Sequence, residues 1–163
     1  METGPLLERL SMETDMYFKL QSVLEEEQKA VISRDYKSLY ELLSNKERIL
    51  ADIRKVSAGR SAMVASMLRK CGGGKGAKGL TALTGLLEGL EKSSLTEAGR
   101  ALFAAMEKTA AMNKRNSLLI GASLENLGRS LDFLEAFFLR GTYESTGLVG
   151  GKTVRGARYR KGV

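Results

Sequence analysis

Histidine is absent from the 163-residue sequence, which removes the commonest general base near neutral pH and the commonest metal ligand. The single cysteine, Cys71, can neither close an internal disulfide nor build a zinc cluster, and it reads as a bystander thiol. Tryptophan is absent too, and the one proline stands at position 5, so almost nothing interrupts a long helix. No apolar run approaches the roughly 18 to 20 residues a membrane span needs, and METGPLLERL lacks the basic start and apolar block of a signal peptide. These gaps predict a cytoplasmic chain of one domain's length that binds a protein and does not catalyse, with no membrane insertion, cofactor or metal.

Charge is present but unevenly placed. The net charge is +7. Arg69, Lys70, Lys75 and Lys78 cluster in one short stretch, while Lys152, Arg155, Arg158, Arg160 and Lys161 crowd the end. The body between them is close to neutral, so the basic character belongs to a loop and a tail.

Apolar periodicity carries the fold. Leu6, Leu10, Tyr17, Leu20, Leu24 and Val31 recur at alternating three and four residues, with Glu13 and Glu27 on the two remaining seam positions. Asp35 is a good amino-terminal cap for the next helix, whose seam runs Leu39, Leu42, Lys46, Ile49, Ile53 and Val56 and on towards Met63, Met67 and Leu68. Two long helices joined by a short turn pack as an antiparallel hairpin. CGGGKGAKG over residues 71–79 predicts a flexible loop, because its five glycines each cost helix about 1 kcal/mol.

A weak helix is expected over 80–92, weakened by Gly85 and Gly89. Ser94-Leu-Thr-Glu97 has capping-box spacing and predicts the start of a long helix over 95–140. Its expected seam is Leu102, Met106, Thr109, Asn113, Asn116, Ile120, Ser123, Leu127, Leu134 and Phe137, with Leu119, Leu124, Leu131 and Phe138 beside it. Gly141 is expected to end that helix, and residues 141–163 to form a disordered basic tail. The fold class is therefore all-α, an elongated antiparallel hairpin or bundle of three long helices and one short one with coiled-coil-like packing. Its helices fall at about 4–32, 36–70, 80–92 and 95–140, within a single domain 1–140.

Candidate motifs for chemistry do not survive their spacing. Gly74-Lys-Gly-Ala-Lys-Gly79 matches a dinucleotide fingerprint formally, yet no strand-helix-strand unit surrounds it. Gly147-Leu-Val-Gly-Gly-Lys-Thr153 misses the phosphate-loop spacing by one residue. Glu25, Glu26 and Glu27 point about 100 degrees apart on a helix and do not converge. The polar seam residues Asn113, Asn116 and Ser123 carry two readings, a lock on helix register or a docking point for a guest helix. Leu124, Leu127, Leu131, Phe133, Leu134, Phe137 and Phe138 likewise read either as core or as an exposed binding strip.

The succession LLERLSMETDMYFKL, the turn over Ser33 to Tyr36, LYELLSNKERILADI, NKRNSLLIGASLENL and Tyr143-x-x-x-Gly147 resembles the FlgN family of flagellar export chaperones. The resemblance implies a cytoplasmic type III export chaperone that holds a carboxy-terminal amphipathic segment of hook-associated proteins against its last long helix. It matches Asn113, Asn116, Leu119, Ile120 and Ser123 to the family's Asn-containing helix motif, and these with the apolar strip Leu124, Leu127, Leu131, Leu134, Phe137 and Phe138 are the expected cargo-binding residues. It gives Tyr143 the role of docking to the export gate protein FlhA. A weak homodimer is left open, and the rival readings are a nucleic-acid-binding protein using the basic loop and tail, or a coiled-coil structural protein.

Overall fold

The computed structural model describes the backbone of residues 3–72, 76 and 78–144, and the side chains of the same residues as far as 137. Four helices are found among them, in chain order α1 Gly4–Ser33, α2 Tyr36–Lys70, α3 Gly79–Gly85 and α4 Gly89–Glu144, and no strand. The expected all-α class is therefore the observed one. The chain divides into two units, Met1–Ser123 and Leu124–Val163.

In the first unit, Pro5 sits in the opening turn of α1, where its missing N–H costs nothing. Arg34 ends the helix in the left-handed region at φ 59°, and the Asp35 N–H closes onto the Ala30 carbonyl at 2.9 Å. Asp35 then caps α2: its carboxylate accepts from the Ser38 N–H at 3.1 Å and the Ser38 hydroxyl at 2.6 Å. Those two bonds hold its carboxyl below the usual carboxylate range.

The hairpin register can be read from its ion pairs. Glu13 pairs with Arg60 and Glu27 with Lys46, and the two residue numbers in each pair have the same sum, as an antiparallel pair turning at Arg34 and Asp35 requires. Leu20 and Ile53, packed together with Leu24, obey the same rule. A second apolar cluster joins Leu6 and Leu10 to Val64, Met67, Leu68, Leu83, Leu87, Leu95 and Leu102. The elements around residues 83–102 thus share one core with the open end of the hairpin.

The break before α4 lies at residues 86–88, not at the capping box. Gly85 ends α3 and Gly89 opens α4 at φ 62°, so the two glycines bracket the turn, and Leu87 between them is buried. Ser94 and Glu97 consequently lie inside α4, as does Gly141, since one glycine costs only about 1 kcal/mol and no proline enforces a stop. Residues 73–75 and 77 of the expected loop, and 145–163 of the expected tail, lie outside the described residues. α3 packs closely: a Cβ added at Gly99 would stand 2.7 Å from Leu80 Cδ2.

The seam of α4 also differs from expectation. Leu95, Leu102, Thr109 and Asn116 keep seven-residue spacing and are buried, but the intervening buried position is Ala105, while Met106 and Asn113 are exposed. The hydrogen bonds agree with that phase: Gln21 Nε2 donates to the Ala105 carbonyl and to Thr109 Oγ1, each at 3.2 Å, so the face carrying Ala105 and Thr109 is the one turned to α1. Residue numbers rise together along these contacts and those of Asn116, so α4 runs parallel to α1 up to residue 116.

Candidate functional site

Polar groups concentrate where α1, α2 and α4 meet. Glu27, 1 % exposed, accepts from Lys46 Nζ at 3.0 and 3.2 Å and from Asn116 Nδ2 at 2.8 Å. Asn116 Nδ2 also donates to the Leu24 carbonyl at 2.7 Å. Every hydrogen of this amide group is therefore used inside the molecule. Nearer the open end, Glu13 accepts from Arg60 Nε at 2.6 Å, and burial together with the Glu13 charge pushes the pKa of the adjacent Tyr17 phenol above its ordinary value. Among the described residues no buried side-chain nitrogen or oxygen is left unbonded.

The predicted site residues divide accordingly. Asn116 is buried and committed to Leu24 and Glu27, whereas Asn113 and Ser123 are exposed and Leu119 and Ile120 are half-buried. These five belong to the first unit.

Leu124, Leu127, Leu131, Leu134 and Phe137 belong to the second unit, and all are exposed, by 64, 49, 58, 47 and 64 %. The four leucines recur at three, four and three residues, so they form one continuous stripe along the helix. Phe133 stands outside the stripe and is exposed as well. The side chains of Phe138 and Tyr143 lie outside the described residues, although the backbone of both is helical.

Charge on this segment is sparse and mostly negative. Glu125 and Arg129 pair at 2.7 Å one turn apart, leaving Asp132 and Glu135 exposed next to Leu131 and Leu134. Such a surface presents apolar area of helical spacing. Amphipathic helices dock on apolar area of this spacing in helix-in-groove and paired-helix contacts.

An open cleft of about 470 Å³ lies elsewhere, in the first unit, lined by Leu80, Leu95, Phe103 and Met106 with Arg60 and Arg100. It contains hydroxyls but no carboxylate or thiol to activate one. Among the described residues no group of three or more acidic or sulfur ligands is placed to hold a metal, and no helix is long and apolar enough to cross a membrane.

Arg60 and Gln21 escaped the sequence reading. Position 60 continues the three-four spacing from Val56 to Met63, so a signal for Arg60 was present. Gln21 is adjacent to seam residue Leu20, and its role depends on α4, 84 residues away. The family model described as FlgN protein matches residues 1–149. No curated protein and no solved structure matches the chain.

Proposed function

The chain belongs to the FlgN family of flagellar export chaperones, and on that premise we propose that it works in the cytoplasm as a carrier of hook-associated proteins. A carboxy-terminal segment of the cargo, amphipathic when helical, lies along Leu124, Leu127, Leu131, Leu134 and Phe137. Tyr143, less than two turns further along α4, docks the loaded chaperone to the export gate protein FlhA.

The observation that carries this reading is the leucine stripe left exposed on α4. Burying it under a partner is favourable at about 25 cal/mol per Å² of apolar area, and most of that gain is offset by ordering a flexible segment and by association. Reversible binding follows, as delivery requires. Asn116 has no free donor for cargo while α4 keeps its contacts with Leu24 and Glu27, so its part is to hold the register of α4 within the first unit.

The test replaces Leu127, Leu131 and Leu134 together by Ser and titrates a hook-associated protein's carboxy-terminal segment by calorimetry. Full burial of a leucine gives about 1.5 to 3 kcal/mol, and about half of each side chain is available. Three such losses sum to about 2 to 4 kcal/mol, a weakening of roughly 30- to 1,000-fold. Helicity should hold, because the replaced groups are exposed. Affinity within threefold of the parent, in a folded variant, removes the stripe from the site. Tyr143→Ala should leave cargo affinity intact and abolish binding to FlhA; unchanged FlhA binding refutes its role.

A further inference from the structure

We propose that the basic end of this chain, residues 150–163, folds back onto the exposed leucine stripe of α4 and competes with cargo for it. The competition rests on the reading of that stripe as the cargo site; the contact itself does not.

Three observations converge. The family match ends at Val149, so the basic segment stands beyond the part shared with the family. After Glu144 the sequence holds five cations, Lys152, Arg155, Arg158, Arg160 and Lys161, and no carboxylate side chain. The stripe has the complementary character. Glu125 at its start is neutralised by Arg129 at 2.7 Å, while Asp132 and Glu135, further along, have no ion-pair partner among the described residues. Its uncompensated negative charge therefore lies on the end nearest the basic segment in sequence. Val154, Tyr159 and Val163, interleaved with the cations, supply apolar groups for the exposed leucines.

Length permits the contact. From Glu144 back to Leu124 a helix rises about 30 Å at 1.5 Å per residue. The segment after Glu144 spans about 60 Å when extended at about 3.3 Å per residue. A short tether also raises the effective concentration to the millimolar range, so a contact with a dissociation constant of about 0.3 to 1 mM is occupied half the time or more. Cargo affinity falls in proportion to the fraction of chaperone left open, here about two- to fivefold. The basic end would thus be a built-in competitor, weak enough for cargo to displace.

The test compares the full chain with a chain ending at Val149, using backbone amide shifts. In about 50 mM salt the shifts of residues 124–137 should differ between the two, and the difference should collapse in about 0.5 M salt, where charges are screened within a few ångströms. The double variant D132K/E135K should abolish it in low salt. Identical shifts for 124–137 in the two chains overturn the contact. So does a shift difference that grows with protein concentration, which assigns the contact to a second copy. If the basic end instead responds only to phosphatidylglycerol vesicles, its partner is a membrane surface and the proposal fails. Titration of a hook-associated segment then tests competition: the shortened chain should bind two- to fivefold more tightly in low salt and equally in high salt. A shift difference with no cargo binding by either chain leaves the contact standing and refutes the cargo reading. Equal cargo affinities in low salt refute the competition.

Discussion

Replacing Glu27 by Ala probes the junction of the three long helices. The carboxylate is 1 % exposed and takes three hydrogen bonds, two from Lys46 and one from Asn116. Its removal strands the Lys46 ammonium, whose side chain is 18 % exposed, and leaves Asn116 with the Leu24 carbonyl alone. Losing one partner of a buried ion pair costs about 3 to 5 kcal/mol, and the residual water access of Lys46 favours the lower end, about 3 kcal/mol. For a chain of this size that is a fall in Tm of roughly 6 to 12 °C. Lys46→Met should cost at least as much, because the stranded charge is then the more deeply buried Glu27. The pair Glu27→Leu with Lys46→Met should return to within about 1 kcal/mol of the parent or exceed it, since no unpaired charge remains. Urea unfolding followed by circular dichroism measures the four corners of the cycle, the parent, Glu27→Leu, Lys46→Met and the double variant, with Glu27→Ala beside them. A single-variant loss below about 1 kcal/mol, or additive losses in the double variant, refutes the buried network.

Two smaller predictions follow from packing and titration. Gly121→Ala should raise stability by about 0.5 to 1 kcal/mol, because nothing lies within 4 Å of the added methyl and Ala favours helix. Gly99→Ala should not, because its methyl meets Leu80 Cδ2; equal gains from the two refute the docking of α3 on α4. Tyr17 has its phenol raised by burial and by Glu13, against an opposing effect of Arg60. The folded pKa lies above the unfolded one, so its contribution to stability is intact below about pH 10 and is lost as pH rises through the folded value. In absorbance at 295 nm, Tyr17→Phe should remove a component that ionises above the ordinary tyrosine range; an unchanged titration refutes the assignment.

Much of the hairpin was legible because both of its helices answer to the same local rule. Every three or four residues an apolar side chain falls on the seam, and the polar exceptions Glu13, Glu27 and Lys46 are the ones the structure pairs with basic or acidic groups across it. The turn was legible from Asp35, whose capping role is set by residues three positions away. What failed in α4 depended on distant residues. Met106 is larger than Ala105 and looks like the better seam residue, yet the face turned to α1 is the one on which Gln21 meets Ala105 and Thr109. Asn116 could be assigned to register or to docking from sequence, and only the positions of Leu24 and Glu27 show where its amide is bonded. The capping-box pattern failed for a different reason: two flanking glycines offered an earlier break that also buries Leu87.

Along α4 the same leucine periodicity meets three environments. Leu95 and Leu102 are sealed in an apolar cluster, Ala105 to Asn116 meet α1 through amides and hydroxyls, and Leu124 to Phe137 are exposed. Period alone cannot separate core from binding surface, since a helix shows a partner the stripe it would show its own neighbours. The polar middle supplies the distinction. Within the first unit, Gln21, Thr109, Asn116 and Glu27 fix the direction and register of α4 by directional bonds, and none of those bonds involves the leucines that follow. Those leucines keep their unspent burial energy, about 1.5 to 3 kcal/mol for each one fully covered, for whichever segment can cover them.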